Sequence, residues 1–218
     1  MDNLRKYLGE VQQVLARLPL APVRQVIDVL HQARRHGSQV FILGNGGSAA
    51  TASHFACDLA KGTIVPGEPR FRVVALTDSL PLFSALANDI GYESVFVEQL
   101  AALLRPGDVV IGISGSGNSL NVLHALSFAR TTGATTIGFT GFDGGRLKEM
   151  VDICVLVPCS CMEQVEDAHL VLEHLICTSL RQEAASAKVP LEQTVELVAE
   201  DTDSGAWHFG SARHLGAK

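Results

Sequence analysis

The segment VFILGNGGSAATASHFACDLAKG at residues 40–62 predicts a strand, a glycine-rich turn and a helix in succession. Its apolar run at 40–43 is long enough for a buried strand and too short for a helix. A strand that passes through a glycine turn into a helix presents backbone N–H groups to an anion. The glycines also let a ligand approach the backbone, and Ser48 adds a hydroxyl near the first helical turn. Because glycine-rich turns alone are weak signals, a tight turn without a ligand is an equal alternative.

A second loop carries a more specific pattern of hydrogen-bond donors. Ser114, Ser116 and Ser119 lie with two glycines between a predicted strand end and a predicted helix start. Such donors at a positive helix end suit a phosphate, whose oxygens accept several hydrogen bonds. The loop has no lysine, which argues against a Walker-type site, and the first loop lacks the spacing of a dinucleotide site. The two loops favour a small phosphorylated metabolite, with serine-rich helix caps as the alternative.

Two predicted helices carry ionisable residues at spacings that place them on common faces. His54 and Asp58 are four residues apart in the first of these helices, and Glu166 and His174 are eight apart in the last helix. Two imidazoles and two carboxylates suit a divalent ion of the zinc, manganese or iron type, or a general acid/base pair. His169 falls in the apolar stripe of the last helix, and we interpret it as a core or supporting histidine. The other acids of that helix are assigned to a solvated face; they are Glu163, Asp167 and Glu173.

Composition limits the classes of function. The 218 residues suffice for one domain with a sizeable core, and 47% of them are hydrophobic. The formal net charge of −6 argues against a nucleic-acid surface, and no apolar run approaches the length of a membrane span. Five cysteines, at 57, 154, 159, 161 and 177, have neither disulfide-framework nor zinc-knuckle spacing. We therefore expect reduced thiols, a cytoplasmic location, and no nucleic-acid or membrane partner.

Alternating strand and helix patterns predict the fold class. Two N-terminal helices precede the first strand, and helical segments separate the later ones. Strands are expected at 40–43, 71–76, 109–113, 135–140 and 152–157. Such alternation is typical of βαβ units, so we predict an α/β fold: a three-layer α/β/α sandwich with a five-stranded parallel sheet of the flavodoxin/Rossmann-like type. Right-handed crossovers then place both donor-rich loops at one edge of the sheet.

The chain is expected to divide into three parts. Residues 1–36 are the N-terminal helices and belong to the same domain as residues 37–184, which end in a long helix starting near Met162. Residues 185–218 are a C-terminal extension, with a short amphipathic helix expected between Leu191 and Val198. We expect the polar end of this extension to be ordered only where something docks it.

Several motifs within about residues 1–182 resemble, in their order, the sugar isomerase (SIS) domain and, within that superfamily, the phosphoheptose isomerases. They are Gly44-Asn45-Gly46-Gly47-Ser48, His54-Phe55-Ala56, Asn88-Asp89-x-Gly91, Gly112-Ile113-Ser114-x-Ser116-Gly117-Asn118-Ser119 and Thr140-Gly141-x-Asp143-Gly144-Gly145. The resemblance implies an SIS-domain fold and interconversion of sedoheptulose 7-phosphate and D-glycero-D-manno-heptose 7-phosphate. It also implies a homotetramer with active sites between subunits.

The resemblance assigns roles to individual residues. The family's substrate-binding positions correspond to Asn45, Gly46, Gly47, Asn88, Asp89, Ser114, Gly115, Ser116 and Ser119, and we add Ser48, Asp58 and Glu166 to this set. The family's zinc positions correspond to His54, Asp58, Glu166 and His174. We predict a ketose–aldose isomerase in which Asp58 and His174 are the catalytic acid/base pair and a divalent metal, expected to be zinc, polarises the carbonyl.

Three positions depart from the family pattern. Asp58 replaces a glutamate and is one methylene shorter, Glu166 replaces a glutamine, and Gly62 falls where the family has arginine, although Lys61 is adjacent. Two carboxylates a few ångströms apart repel unless a cation neutralises them, so we expect Glu166 to strengthen metal binding. The alternative is that Glu166 faces solvent or pairs with Lys61.

Two other functions stay open at this point. One is a non-catalytic SIS-domain regulator that senses a phosphosugar or bridges protein partners, and the presence of both His54 and His174 argues against it. The other is an isomerase of a different sugar phosphate. Substrate choice depends on the shape of the pocket, which the sequence does not reveal.

Overall fold

The computed structural model describes residues 2–186, whose centre is one parallel β-sheet. The strands are β1 (Gln39–Gly44), β2 (Arg72–Ala75), β3 (Val109–Ile113), β4 (Thr135–Thr140) and β5 (Ile153–Leu156). Across the sheet they lie in the order β2-β1-β3-β4-β5, and every neighbouring pair is parallel. The helices are α1 (Asp2–Ala16), α2 (Leu20–His36), α3 (Gly47–Cys57), α4 (Leu80–Asp89), α5 (Val95–Leu103), α6 (Leu120–Thr132) and α7 (Met162–Ser186).

Helices cover both faces of the sheet, which confirms the predicted α/β/α class. On one face, apolar side chains of α1, α2, α3 and α7 pack against the sheet, with Leu30, Phe55 and Leu172 fully buried. On the other face, α5 and α6 form the cover, and Phe96 and Leu126 are fully buried there. The inner strands β1, β3 and β4 are buried almost throughout because both of their faces are covered, whereas the edge strands β2 and β5 are partly exposed.

The helix predicted within residues 40–62 is two elements in the structure. The α-helix α3 ends at Cys57, and the chain continues as a π-helical turn over Asp58–Gly62. A π-turn widens the helix and changes which carbonyls are paired. Side chains satisfy two carbonyls of this turn: the Thr63 hydroxyl donates to the Leu59 carbonyl at 2.7 Å, and Arg181 donates to the Gly62 carbonyl at 3.2 Å. The helical period alone does not reveal these tertiary contacts.

The pairing of β1 with β3 brings the two donor-rich loops together. Gly44, the last residue of β1, is in register with Ile113, the last residue of β3. The crossovers from β1 and β3 run in opposite directions across the sheet, which creates a crevice of the kind where α/β proteins bind ligands. A Cβ atom at Gly44 would lie 2.8 Å from the Ser48 carbonyl oxygen and 2.9 Å from the Ile113 carbonyl oxygen. Only glycine fits this close approach of three backbone segments.

His169 helps to attach α7 to the sheet. Its side chain is buried, its Nε2 lies 3.3 Å from the Thr140 carbonyl oxygen, and its ring lies 6.0 Å from the Phe139 ring. Its Nδ1 is buried without a hydrogen-bond partner. Burial lowers the pKa of His169 to about 4, against a smaller opposing effect of the Thr140 contact. His169 is thus a neutral core histidine, in agreement with its place in the apolar stripe.

Some expectations concern residues that the structure does not describe. The amphipathic helix expected between Leu191 and Val198 and the docking of the C-terminal end lie outside residues 2–186. The last predicted helix is described to Ser186, two residues past its expected end. Within residues 2–186, no helix combines the length and the apolar content needed to cross a membrane.

The substitution His169→Gln should reduce the acid sensitivity of the fold. Because the folded state lowers the pKa of His169, the unfolded chain binds the proton more readily, and stability falls as the pH drops from 6.5 towards 4. Wild type should lose about 3 kcal/mol more unfolding free energy between pH 7.5 and pH 4 than the variant, whose amide can still donate to Thr140. Urea denaturation at both pH values, in the presence of a chelator, measures the difference. Equal losses in the two proteins would contradict the prediction.

Candidate active site

The two donor-rich loops line a cavity of about 250 Å³ at the carboxyl ends of β1 and β3, which we call the loop cavity. Its wall is completed by two side chains of α7, Met162 and Glu166. The lining residues are Asn45, Gly46, Gly47, Ser48, Ile113, Ser114, Gly115, Ser116, Ser119, Met162 and Glu166. The structure therefore brings together most of the predicted substrate-binding residues.

The loop at residues 114–119, which we call the serine loop, is held in place by backbone hydrogen bonds. Gly141 N–H donates to the Gly115 carbonyl at 2.9 Å, and Leu147 N–H donates to the Gly117 carbonyl at 3.0 Å. Gly117 has a φ of 65°, and a Cβ atom there would lie 2.0 Å from the Gly144 carbonyl oxygen. The loop is thus pressed against the glycine-rich segment after β4 and leads directly into the N-terminus of α6. This arrangement favours an anion at a fixed position.

A reciprocal amide pair connects the two loops. Asn45 donates from Nδ2 to Asn121 Oδ1 at 2.8 Å, and Asn121 donates from Nδ2 to Asn45 Oδ1 at 2.9 Å. The Tyr92 hydroxyl also donates to Asn45 Oδ1, at 2.8 Å, and Asn121 is almost fully buried. Asn121 and Tyr92 are supporting residues that no sequence motif predicted. Their partner is distant in sequence, so no local pattern could have indicated them.

A second group of ionisable side chains lies where α3, the π-turn and α7 meet. It contains His54, Asp58, Glu173 and His174, each with a potential ligand atom within 4.8 Å of the others, and we call it the histidine cluster. His174 Nε2 lies 3.8 Å from Asp58 Oδ2, 3.4 Å from His54 Nε2 and 3.2 Å from Glu173 Oε1. Among the described residues, this is the one group of three or more His, Cys, Asp or Glu side chains placed to hold a metal ion.

Glu173 is the member of the cluster that the sequence analysis did not assign to it. The expected solvated position is wrong, because the side chain has no exposed surface and neither carboxyl oxygen has a hydrogen-bond partner. Burial, and then the charge of Asp58, raise the pKa of Glu173 to about 8. A signal was present: Glu173 is four residues from His169 and three from Ile176, both of which lie in the apolar stripe.

Glu166 and the remaining predicted site residues lie outside the histidine cluster. Glu166 is not part of the histidine cluster; its carboxylate lies so close to Gly47 that a Cβ atom there would be 2.5 Å from Oε1. Asn88 and Asp89 are exposed at the end of α4, where Asn88 donates to Asp89 Oδ1 at 2.7 Å, and neither lines the loop cavity. Lys61 is exposed on the π-turn. The predicted roles of these residues stay predictions.

Comparisons of the sequence and of the structure with known proteins identify the same family. The SIS domain family model matches residues 6–141. The phosphoheptose isomerase of Trichlorobacter lovleyi is 40% identical over 182 residues, which cover 83% of this chain and 91% of that protein. The phosphoheptose isomerase of Aliarcobacter butzleri is 40% identical over 162 residues, which cover 74% and 85% of the two chains. The structure of phosphoheptose isomerase GmhA from Neisseria gonorrhoeae superimposes with a TM-score of 0.77 at 30% identity, covering 83% of this chain and 98% of that one.

The match extends over most of the described residues and includes the elements that form the loop cavity. The chain therefore belongs to the SIS domain family and, within it, to the phosphoheptose isomerases. The predicted family, fold class and enzyme class, an aldose–ketose isomerase, are confirmed.

Proposed function

We propose that this protein interconverts sedoheptulose 7-phosphate and D-glycero-D-manno-heptose 7-phosphate through an enediol. The observation that carries the proposal is the placement of α7, which forms part of both the loop cavity and the histidine cluster. Glu166 in the cavity and Glu173 in the cluster are seven residues apart, which corresponds to about 10 Å along a helix. A phosphate bound by the serine loop would then leave the sugar chain extended towards the imidazoles.

The reaction requires a base that moves a proton between two adjacent carbons. The base removes the proton from the carbon next to the carbonyl of the ketose, which gives an enediol, and then returns it to the former carbonyl carbon. We assign this acid/base work to Asp58 and His174, whose Oδ2 and Nε2 atoms are 3.8 Å apart and thus face one reacting centre. Both side chains are partly exposed and so accessible to a substrate.

We propose zinc as the cofactor, with His54, Asp58 and His174 as ligands. The residues fit a divalent cation, because two imidazoles and a carboxylate surround a buried carboxyl group that has no hydrogen-bond partner. When bound, such an ion supplies Lewis acidity to the carbonyl oxygen and the neighbouring hydroxyl. The fourth predicted ligand, Glu166, is not in this cluster.

An assay of product formation tests the proposed reaction. Sedoheptulose 7-phosphate is incubated with the protein, with and without a chelator, and the products are identified by NMR. We expect the aldoheptose 7-phosphate to appear and the chelator to slow its formation. Tight binding without turnover would instead indicate a phosphosugar-sensing regulator, and turnover of only another sugar phosphate would indicate a different isomerase.

Substitution of the loop serines should weaken binding of the phosphorylated sugar. Ser116→Ala and Ser119→Ala each remove a hydroxyl from the cavity lining, and loss of a hydrogen bond to a charged group costs about 1–3 kcal/mol. Calorimetric titration with the sugar phosphate measures the effect. Ser84→Ala, on the exposed surface of α4, is the matched control and should bind as wild type does. Unchanged affinity in both loop variants would place the phosphate elsewhere.

We propose that the protein forms a homotetramer, with active sites between subunits. The N-terminal helix exposes Leu4 and Leu8, each 68% accessible, and α7 exposes Leu170, Val171 and Leu175. Large apolar side chains grouped on two helices favour burial against other copies of the chain. Light scattering at micromolar concentration should give four times the mass of one chain, 23.2 kDa. A monomer would contradict the proposal.

We propose the cytoplasm as the compartment. All five cysteines lie in the described part of the chain, and all are free thiols. A reducing compartment maintains thiols in this state.

A further inference from the structure

We propose that Glu173 is a metal ligand in the histidine cluster and that Glu166 instead holds a hydroxyl of the sugar in the loop cavity. The proposal rests on the metal-dependent isomerase proposed above. It assigns metal binding to Glu173 and sugar binding to Glu166, the two carboxylates of α7. It makes Glu173, which neither the family motifs nor the predicted ligand set includes, part of the catalytic centre.

The environment of Glu173 calls for a cation. Both carboxyl oxygens of Glu173 are buried without a hydrogen-bond partner. An ionised carboxylate in such a position is strongly disfavoured unless a cation compensates its charge. The groups facing its Oε1 atom are imidazoles: His174 Nε2 at 3.2 Å and His54 Nδ1 at 3.5 Å. A divalent ion among these atoms would satisfy the carboxylate and both rings at once. It would also remove the repulsion between the carboxylates of Glu173 and Asp58, whose potential ligand atoms lie within 4.8 Å of one another.

The side chains of the cluster are of the types that bind zinc in proteins. Two imidazole nitrogens and two carboxylate oxygens make a four-ligand set, and the potential ligand atoms lie within 4.8 Å of one another. Two negative ligands also balance the double positive charge of the ion. Since Glu173 has no exposed surface while the other three side chains are 29–48% exposed, the ion would have one buried ligand and an accessible side for the substrate.

Glu166 is positioned for a different task. Its carboxylate lies over Gly47, where all three carboxyl atoms would be within 2.6 Å of an added Cβ atom, and it lines the loop cavity with the serines. The absence of a side chain at Gly47 therefore makes room for this carboxylate. A carboxylate that is partly accessible in a cavity with hydroxyl and amide groups can accept hydrogen bonds from sugar hydroxyls.

Metal titrations of two matched variants test the assignment. Chelator-stripped wild type, Glu173→Gln and Glu166→Gln are titrated with Zn²⁺ by calorimetry and with Co²⁺ by visible absorption, which reports the ligands directly. Both substitutions replace a carboxylate by an amide of the same shape on the same helix. Glu173→Gln should weaken zinc binding by about tenfold or more and change the cobalt spectrum, since loss of a supporting group alone costs about 10–100-fold. Glu166→Gln should keep both metal readouts and bind the sugar phosphate less tightly.

Several outcomes would overturn the proposal. They are wild-type zinc affinity and cobalt spectrum in Glu173→Gln, a loss of metal binding in Glu166→Gln alone, or the absence of zinc binding to wild type. Circular dichroism verifies that each variant is folded, and Glu173→Met, which keeps the side-chain volume and removes the polar atoms, must also lose metal affinity. Product formation by wild type is measured separately, so a protein that binds metal through Glu173 without isomerising the sugar would refute only the proposed function.

Discussion

The parallel pairing of β1 with β3 is the constraint on which the site depends. This register sets Gly44 opposite Ile113, so the loops that follow the two strands begin side by side. The three backbone segments at Gly44 approach too closely for any side chain. The Asn45–Asn121 amide pair then connects the start of one helix to the start of the other. The loop cavity is consequently a product of strand order in the sheet, and each loop alone would offer only part of its donors.

The helix α7 combines structural and chemical roles along one face. Leu172 and Ile176 are buried in the core beneath the sheet, while Glu166 and Glu173 carry carboxylates to two neighbouring parts of the site. Such a helix cannot shift without disturbing both parts, because the same packing positions them. The buried His169, held near the Thr140 carbonyl, fixes the helix between these two carboxylates. The site is therefore built on a rigid element, which favours accurate placement of reacting groups.

The histidine cluster contains a buried carboxyl group, Glu173, whose negative charge would need compensation. A carboxyl group with its pKa raised to about 8 is costly in the absence of a compensating charge, and natural proteins keep such groups mainly at functional sites. A π-turn begins at Asp58, so the regular α-helical spacing of α3 ends at the residue that joins the cluster. Both features depart from what local stability would favour, and both occur where the chemistry is proposed.

The sequence by itself determined the family, the five strands, the parallel sheet and the two donor-rich loops, because these depend on periodicity and on local glycine and serine patterns. Helical spacing also predicted that His54 and Asp58 share a face, and the resemblance to the phosphoheptose isomerases implied that His174 joins them. Only the tertiary structure decided which α7 carboxylate joins them. Glu166 and Glu173 are seven residues apart and lie on the same helix face, so helical spacing cannot distinguish them. The packing of α7 against α3 decides the matter, because it buries Glu173 among the imidazoles and leaves Glu166 over Gly47.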